Sequence, residues 1–170
     1  MKLKQIFLTL LIIIVWAVCS MAKIGIGDPA PDFTLMDVST GEQVSLSSFR
    51  GQIVVLRIWK VCTGICRTNI PVLNRINGEF SMVSPADKPQ VKVLSINAID
   101  NKKRILTEIE KVSVKYQVLV GRNSGITGDY QTVTLPQIFI IDKEGLIRFN
   151  DAYPTYEELK EAIDRLIIGE

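Results

Sequence analysis

The run Ile53-Val54-Val55-Leu56-Arg57-Ile58-Trp59 is apolar throughout except for one arginine. A strand with one face in water alternates apolar and polar residues. An unbroken apolar run instead belongs to a central strand covered on both faces, as in sheets built from strand–helix–strand units. Arg57 stands out within it, because a charge in a central strand needs a partner or an exit to water. Immediately afterwards, Cys62-Thr63-Gly64-Ile65-Cys66 places two sulfurs ahead of a segment in which Ile65, Ile70, Leu73 and Ile76 recur near helical spacing. Strand, cysteine pair and helix thus follow one another directly.

The flanking sequence supplies further elements. Asp32 to Met36 alternates as a strand, Ser39 to Glu42 is a turn, and Val44 to Leu46 is the return arm of a hairpin, closed by a short turn over residues 47–51. The helix after the cysteines is predicted from Gly64 to about Met82, with Pro71 as an expected kink. A polar loop over 83–89 leads into a strand over 91–96, then a helix over 102–115 with Ile105, Ile109 and Val112 on one side. Tyr116 to Val120 is a short extended piece, and 121–130 is irregular. Gln137 to Ile141 is a second buried strand, and Asp142 to Gly145 turns it into Leu146–Phe149. Thr155, with Glu158 three residues on, forms a capping box for a last helix that buries Leu159, Ile163 and Leu166. This order predicts an α/β fold, a central mixed sheet flanked by helices with an extra N-terminal β-hairpin.

The chain divides into residues 1–22 and a single domain over 23–170, long enough for a proper apolar core. Lys2 and Lys4 precede the apolar run Ile6 to Val18, and Ser20 and Ala22 are small residues ahead of a cleavage point after Ala22. That is the pattern of a signal peptide, or of an N-terminal membrane anchor if it is retained. Cys19 also raises a lipoprotein site, for which Val18 is a poor preceding residue. Lys2 and Lys4 would stay cytoplasmic, placing the domain in an extracytoplasmic, thiol-oxidising compartment, periplasmic or cell-envelope.

Of the 20 basic residues only Lys2 and Lys4 lie in that segment, so the domain carries 18 against 18 acidic ones. A neutral domain offers no basis for nucleic-acid binding. The chain has no histidine, which removes the commonest general base and the commonest metal ligand.

The stretches Gly27-Asp28-Pro29-Ala30-Pro31-Asp32-Phe33-Thr34-Leu35, Val44 to Gly51, and Leu135-Pro136-Gln137-Ile138-Phe139-Ile140-Ile141-Asp142 together resemble the TlpA/ResA-type extracytoplasmic thioredoxin-like proteins of the AhpC/TSA–redoxin superfamily. The resemblance covers residues 27–168. It implies a thioredoxin-like fold, a cis-proline at Pro136 facing the active site, no cofactor, and thiol–disulfide exchange with exported proteins or apocytochromes, served by a membrane or periplasmic redox partner.

The cysteine motif departs from the family pattern. Aligned without a gap, Trp59, Cys66, Arg67 and Pro71 fall in place, but Thr63 occupies the nucleophilic position and Cys62 stands one residue early. Asn69 replaces the family's acid, and Arg57 replaces an Asn or Asp. A hydroxyl cannot perform thiol exchange without a strong base, so Thr63 reads as a helix N-cap. Cysteines four apart on a helix come within disulfide range, so Cys62 and Cys66 remain a candidate redox pair. Lys60, Arg67 and Arg57 would make their surroundings electropositive, and Asp100 is a candidate partner for Arg57.

Three other readings stay open. The spacing of Thr63 and Cys66 half matches a peroxiredoxin-like peroxidase, although Trp59 stands where that branch has proline. Cys62 and Cys66 match the Cys-x-x-x-Cys of copper(I)-binding Sco-like proteins but lack their histidine. The chain would otherwise be a catalytically degenerate binding protein.

Overall fold

The computed structural model describes residues 23–62, 64–80 and 91–169; the expected export segment, Thr63 and the 83–89 loop lie outside the described residues. The strands are β1 (Thr34–Asp37), β2 (Gln43–Ser45), β3 (Ile53–Trp59), β4 (Val91–Asn97), β5 (Gln117–Val120), β6 (Gln137–Ile141) and β7 (Ile147–Asp151). The α-helices are α1 (Asn69–Phe80), α2 (Lys102–Lys111), α3 (Ile126–Asp129) and α4 (Tyr156–Ile168), with 3-10 turns at Leu46–Phe49 and Gly64–Arg67. No helix among the described residues is long and apolar enough to cross a membrane.

One mixed sheet runs in the order β2-β1-β5-β4-β3-β6-β7. β3, β4 and β5 are parallel, while β6 runs antiparallel to β3, β7 to β6, and β1 to β5. β3 lies inside the sheet between β4 and β6 and is buried at all seven positions, as its almost unbroken apolar composition requires. The expected N-terminal hairpin forms with Thr34 opposite Ser45 and joins the sheet by laying Met36 beside Val120 of β5.

Alternation along β3 sorts the core. Ile53 and Val55 face Leu73 and Ile76 of α1 and Leu159 and Ile163 of α4. Trp59, two residues on from Arg57, packs with Ile105 of α2 and Val118. Val54, Leu56 and Ile58 point the other way, toward Phe33, Leu35, Leu46, Ile126 and Tyr130. The three longer helices therefore share one face, and the N-terminal lead-in with α3 covers the other. Each fully buried aliphatic side chain contributes about 1.5–3 kcal/mol.

Some boundaries differ from expectation, for local reasons. The helix after the cysteines starts at Asn69, because Gly64–Arg67 is wound as a 3-10 turn. Pro71 then falls in the first turn of α1, where a missing N–H breaks no helical bond, so proline is accommodated there without interrupting the ladder. α2 ends at Lys111 rather than 115, with Ser113 in the left-handed region at φ 53°. Residues 126–129 form the short helix α3 in a stretch expected to be irregular. The capping box of α4 forms as expected: Thr155 accepts from the Glu158 N–H, and Glu158 accepts from the Thr155 N–H at 2.7 Å.

Candidate functional site

Cys62 and Cys66 form a disulfide where β3 runs out toward α1, with their Cα atoms 5.9 Å apart. Cys66 lies in the 3-10 turn, 4% exposed, whereas Cys62 is only half-buried and is the sulfur nearer to solvent. Gly64 between them takes φ +68°, a left-handed conformation that a side chain would oppose, and so permits the tight reversal. The expected capping role of Thr63 falls on a residue outside those described.

The approach to Cys62 is fixed from β4. Asp100 accepts a 2.6 Å hydrogen bond from the Val61 N–H and a 3.1 Å bond from the Asn97 side chain. Its other oxygen pairs with Arg104 at 3.0 Å. Asp100 is thus not the partner of Arg57, as the sequence had suggested: it is already satisfied one turn above the strand ends, and the Arg57 side chain goes elsewhere.

Arg57 is 1% exposed and sits beneath the disulfide. Its Nη2 donates a short hydrogen bond to the backbone carbonyl of Cys66, and its guanidinium carbon lies 4.8 Å from the centre of the Trp59 ring. Nε and Nη1 have no hydrogen-bond partner within the described protein. Burial pulls the guanidinium below its ordinary range, while Tyr116 and Glu108 pull it back up. Burial raises the Tyr116 hydroxyl and the Arg57 charge opposes that shift, although no hydrogen bond of good geometry joins the two.

Arg67 points the other way. It grips Glu108 of α2 with two hydrogen bonds, Nε to Oε1 at 2.7 Å and Nη2 to Oε2 at 3.0 Å. The carboxylate holds the Arg67 guanidinium above its ordinary range, chiefly through these hydrogen bonds. Glu108 is buried although charged, and its place between Ile105 and Ile109 on the packed side of α2 was the available signal for it. Asn69, which stands in the position of the family's acid, is 2% exposed with its side-chain oxygen unpaired. Lys60 is exposed.

The far side of the disulfide is closed by the segment before β6. The Leu135–Pro136 peptide is cis, Pro136 is buried, and the Leu135 carbonyl oxygen is 3.9 Å from the Cys66 sulfur. The chain therefore brings Cys62, Cys66 and the Leu135–Pro136 segment together across some seventy residues of sequence. Among the described residues no third His, Cys, Asp or Glu joins the two sulfurs to make a metal-binding group.

A cysteine pair between a central strand and its helix, opposed by a cis-proline in a mixed sheet of this order, defines a thioredoxin-fold protein. Residues 26–150 match the AhpC/TSA family, and the chain belongs to that family. It is 27% identical over 149 residues to the thioredoxin-like protein YneN of Bacillus subtilis, covering 85% of this chain and 84% of that one. It is 24% identical over 145 residues to the thiol-disulfide oxidoreductase ResA of Bacillus thuringiensis subsp. konkukian, covering 85% and 80%. Among solved structures, a thiol:disulfide interchange protein from Bacteroides sp. superposes with a TM-score of 0.73 at 20% identity, covering 87% of this chain and 93% of that one. The thioredoxin domain of a thiol-disulfide oxidoreductase from Bacteroides vulgatus gives 0.70 at 22%, covering 81% and 97%. The structural likenesses establish the fold.

Proposed function

We propose that the chain is a thiol–disulfide oxidoreductase working outside the cytoplasm through Cys62 and Cys66. The observation that carries this reading is the disulfide itself, with one sulfur near solvent and the other buried beneath it. In that arrangement a substrate thiolate attacks Cys62. The Cys62–Cys66 bond breaks, and its electron pair leaves on Cys66. A mixed disulfide with Cys62 results. The second substrate thiol, losing its proton, then displaces Cys62 and closes the substrate disulfide. Run backwards, the same steps reduce a substrate disulfide. Thr63 would cap the turn between the sulfurs, and Pro136 would shape the groove along which a substrate backbone lies. Thiols and disulfides of exported proteins are the substrates this reading implies, with a membrane or periplasmic redox partner restoring the pair.

Location rests on residues 1–22, where Lys2 and Lys4 precede the apolar run Ile6 to Val18; the segment serves as a signal peptide or an anchor. The names of the curated relatives support the oxidoreductase reading.

The test is to express the full chain with Cys19→Ser, reduce it, and treat it with limiting iodoacetamide, followed by peptide mapping and a disulfide-reduction assay on insulin. Cys62, the sulfur the reagent can reach, is expected to be alkylated first whichever sulfur carries the proton, and Cys62→Ser and Cys66→Ser are each expected to abolish turnover. Preferential alkylation of Cys66, or turnover surviving Cys62→Ser, would remove the proposed mechanism. Peroxide consumption by Cys62→Ser would favour the peroxidase instead.

A further inference from the structure

The charges around Cys66 do not cancel. On one side Arg67 and Glu108 form a closed pair. On the other, Arg57 is held against the carbonyl of Cys66, and among the described residues no carboxylate forms an ion pair with it. The Leu135 carbonyl from the segment before β6 meets the Cys66 sulfur, the Tyr116 hydroxyl ahead of β5 lies near Arg57, and α1 begins three residues after the cysteine at Asn69. None of these bears a full charge. Two guanidiniums and one carboxylate leave one net positive charge around a cysteine whose carbonyl Arg57 holds and whose sulfur is buried.

We propose that Arg57 is a positioning residue that poises the pair to accept electrons: it fixes the Cys66 backbone, and its uncompensated charge stabilises the Cys66 thiolate that opening the disulfide releases. This inference rests on the oxidoreductase reading and gives that reaction a direction. A guanidinium cannot give up its proton in a protein, so it neither donates to nor accepts from the leaving sulfur. It acts as a fixed field. When a substrate dithiol is oxidised, two electrons pass to the cysteine pair and one substrate proton goes to solvent. The other proton ends on Cys62, and Cys66 remains a thiolate. Stabilising the reduced state in this way makes a disulfide more oxidising. Two effects work against the thiolate, namely burial of the sulfur and the negative end of the Leu135 carbonyl. The guanidinium field opposes both, since a full opposite charge within about 4–6 Å lowers an ionisation by roughly 1–3 units.

The experiment uses the full chain in detergent with Cys19→Ser throughout. The Cys66 thiol is titrated by thiolate absorbance in Cys62→Ser, and the intact pair is equilibrated with reduced and oxidised glutathione. Arg57→Met is expected to raise the Cys66 titration midpoint by about 1–2 pH units. It should also shift the glutathione equilibrium at least about tenfold toward the disulfide, roughly 30 mV. Arg57→Lys is expected to keep most of both values. A folded Arg57→Met with wild-type midpoint and equilibrium would overturn the proposal. Should Arg57→Met fail to fold, Glu108→Gln decides the matter: adding one net positive charge is expected to move both readouts the opposite way, and unchanged values overturn it. A wild-type pair that does not exchange with glutathione at all brings down the oxidoreductase reading and this inference together. Exchange that is indifferent to Arg57 brings down the inference alone.

Discussion

Asp100 accepts a hydrogen bond from the Val61 backbone N–H at 2.6 Å, tying the turn after β4 to the residue that precedes Cys62. The contact spans 39 positions of sequence and fixes the outer arm of the cysteine loop from a neighbouring strand. Asp100→Ala leaves that N–H without its acceptor and strips Asn97 and Arg104 of theirs. The expected loss is about 1–3 kcal/mol in urea unfolding, with faster hydrogen exchange at Val61. Unchanged exchange at Val61 would show that the anchor is dispensable.

Arg67 and Glu108 make a second tie, this time to α2. Glu108 is almost fully buried, whereas Arg67 is 32% exposed, so solvent tempers the loss when the pair is broken. Arg67→Ala is expected to lower the urea midpoint, because it strands a buried carboxylate. Combining Arg67→Met with Glu108→Leu should recover most of that loss, which a double-mutant cycle by chemical denaturation would register.

Asp37 links stability to pH. Burial works to raise its carboxyl, but the N–H groups of Thr40 and Ser39 and the side chain of Gln117 outweigh it and hold the group below the usual carboxylate range. A group depressed in the folded state contributes its full stabilisation above its unfolded pKa, about 3.9, and loses it as the pH falls through the folded value. Asp37→Asn is expected to lower stability at neutral pH by about 1 kcal/mol and to flatten the acid limb below about pH 4. Asp32, held low by Ser47, Phe33 and Arg50 against burial, would keep part of the slope. The measurement is unfolding free energy against pH for both proteins.

At Gly121 the constraint is space. A Cβ there would meet the Ile96 side chain at 2.4 Å and the Asn97 carbonyl at 3.2 Å. Gly121→Ala forces β4 or α3 to move, at an expected cost of about 1–3 kcal/mol by thermal or urea unfolding. A neutral result would mean that Ile96 can change rotamer freely, contrary to its complete burial.

Much of this architecture was legible in the residues themselves. The runs around Val55 and Phe139 announce buried strands, the run around Leu94 announces a strand, and all three lie inside the sheet. The Thr155–Glu158 spacing announces a helix start, because both groups act within one turn of chain. Long-range partners left no such mark. Nothing local distinguishes Asp100 as the acceptor for Val61 rather than for Arg57, since two parallel strands must be laid side by side before either distance exists. The delayed start of α1 escaped for a related reason: a 3-10 turn and an α-helical turn share almost the same side-chain spacing over four residues. At the site, the cysteines, Arg57 and the Leu135–Pro136 segment were legible as participants. That Arg57 would reach the Cys66 carbonyl, and that Glu108 would silence Arg67, depended on packing.

The hairpin and the final strand also decide how this sheet meets other chains. The most apolar strands, β3, β4 and β6, lie inside, and the margins are β2, three residues long, and β7. At the start of β7 the N-terminal lead-in already takes the backbone, with Gly27 donating to Ile147 and Ile147 to Asp28. A three-residue margin on one side and a margin covered at its start on the other leave only short templates for intermolecular strand addition and aggregation. Under the proposed thiol–disulfide exchange a client protein would instead be held around the sulfurs and the Leu135–Pro136 segment, and contact of that kind would end when the mixed disulfide is resolved.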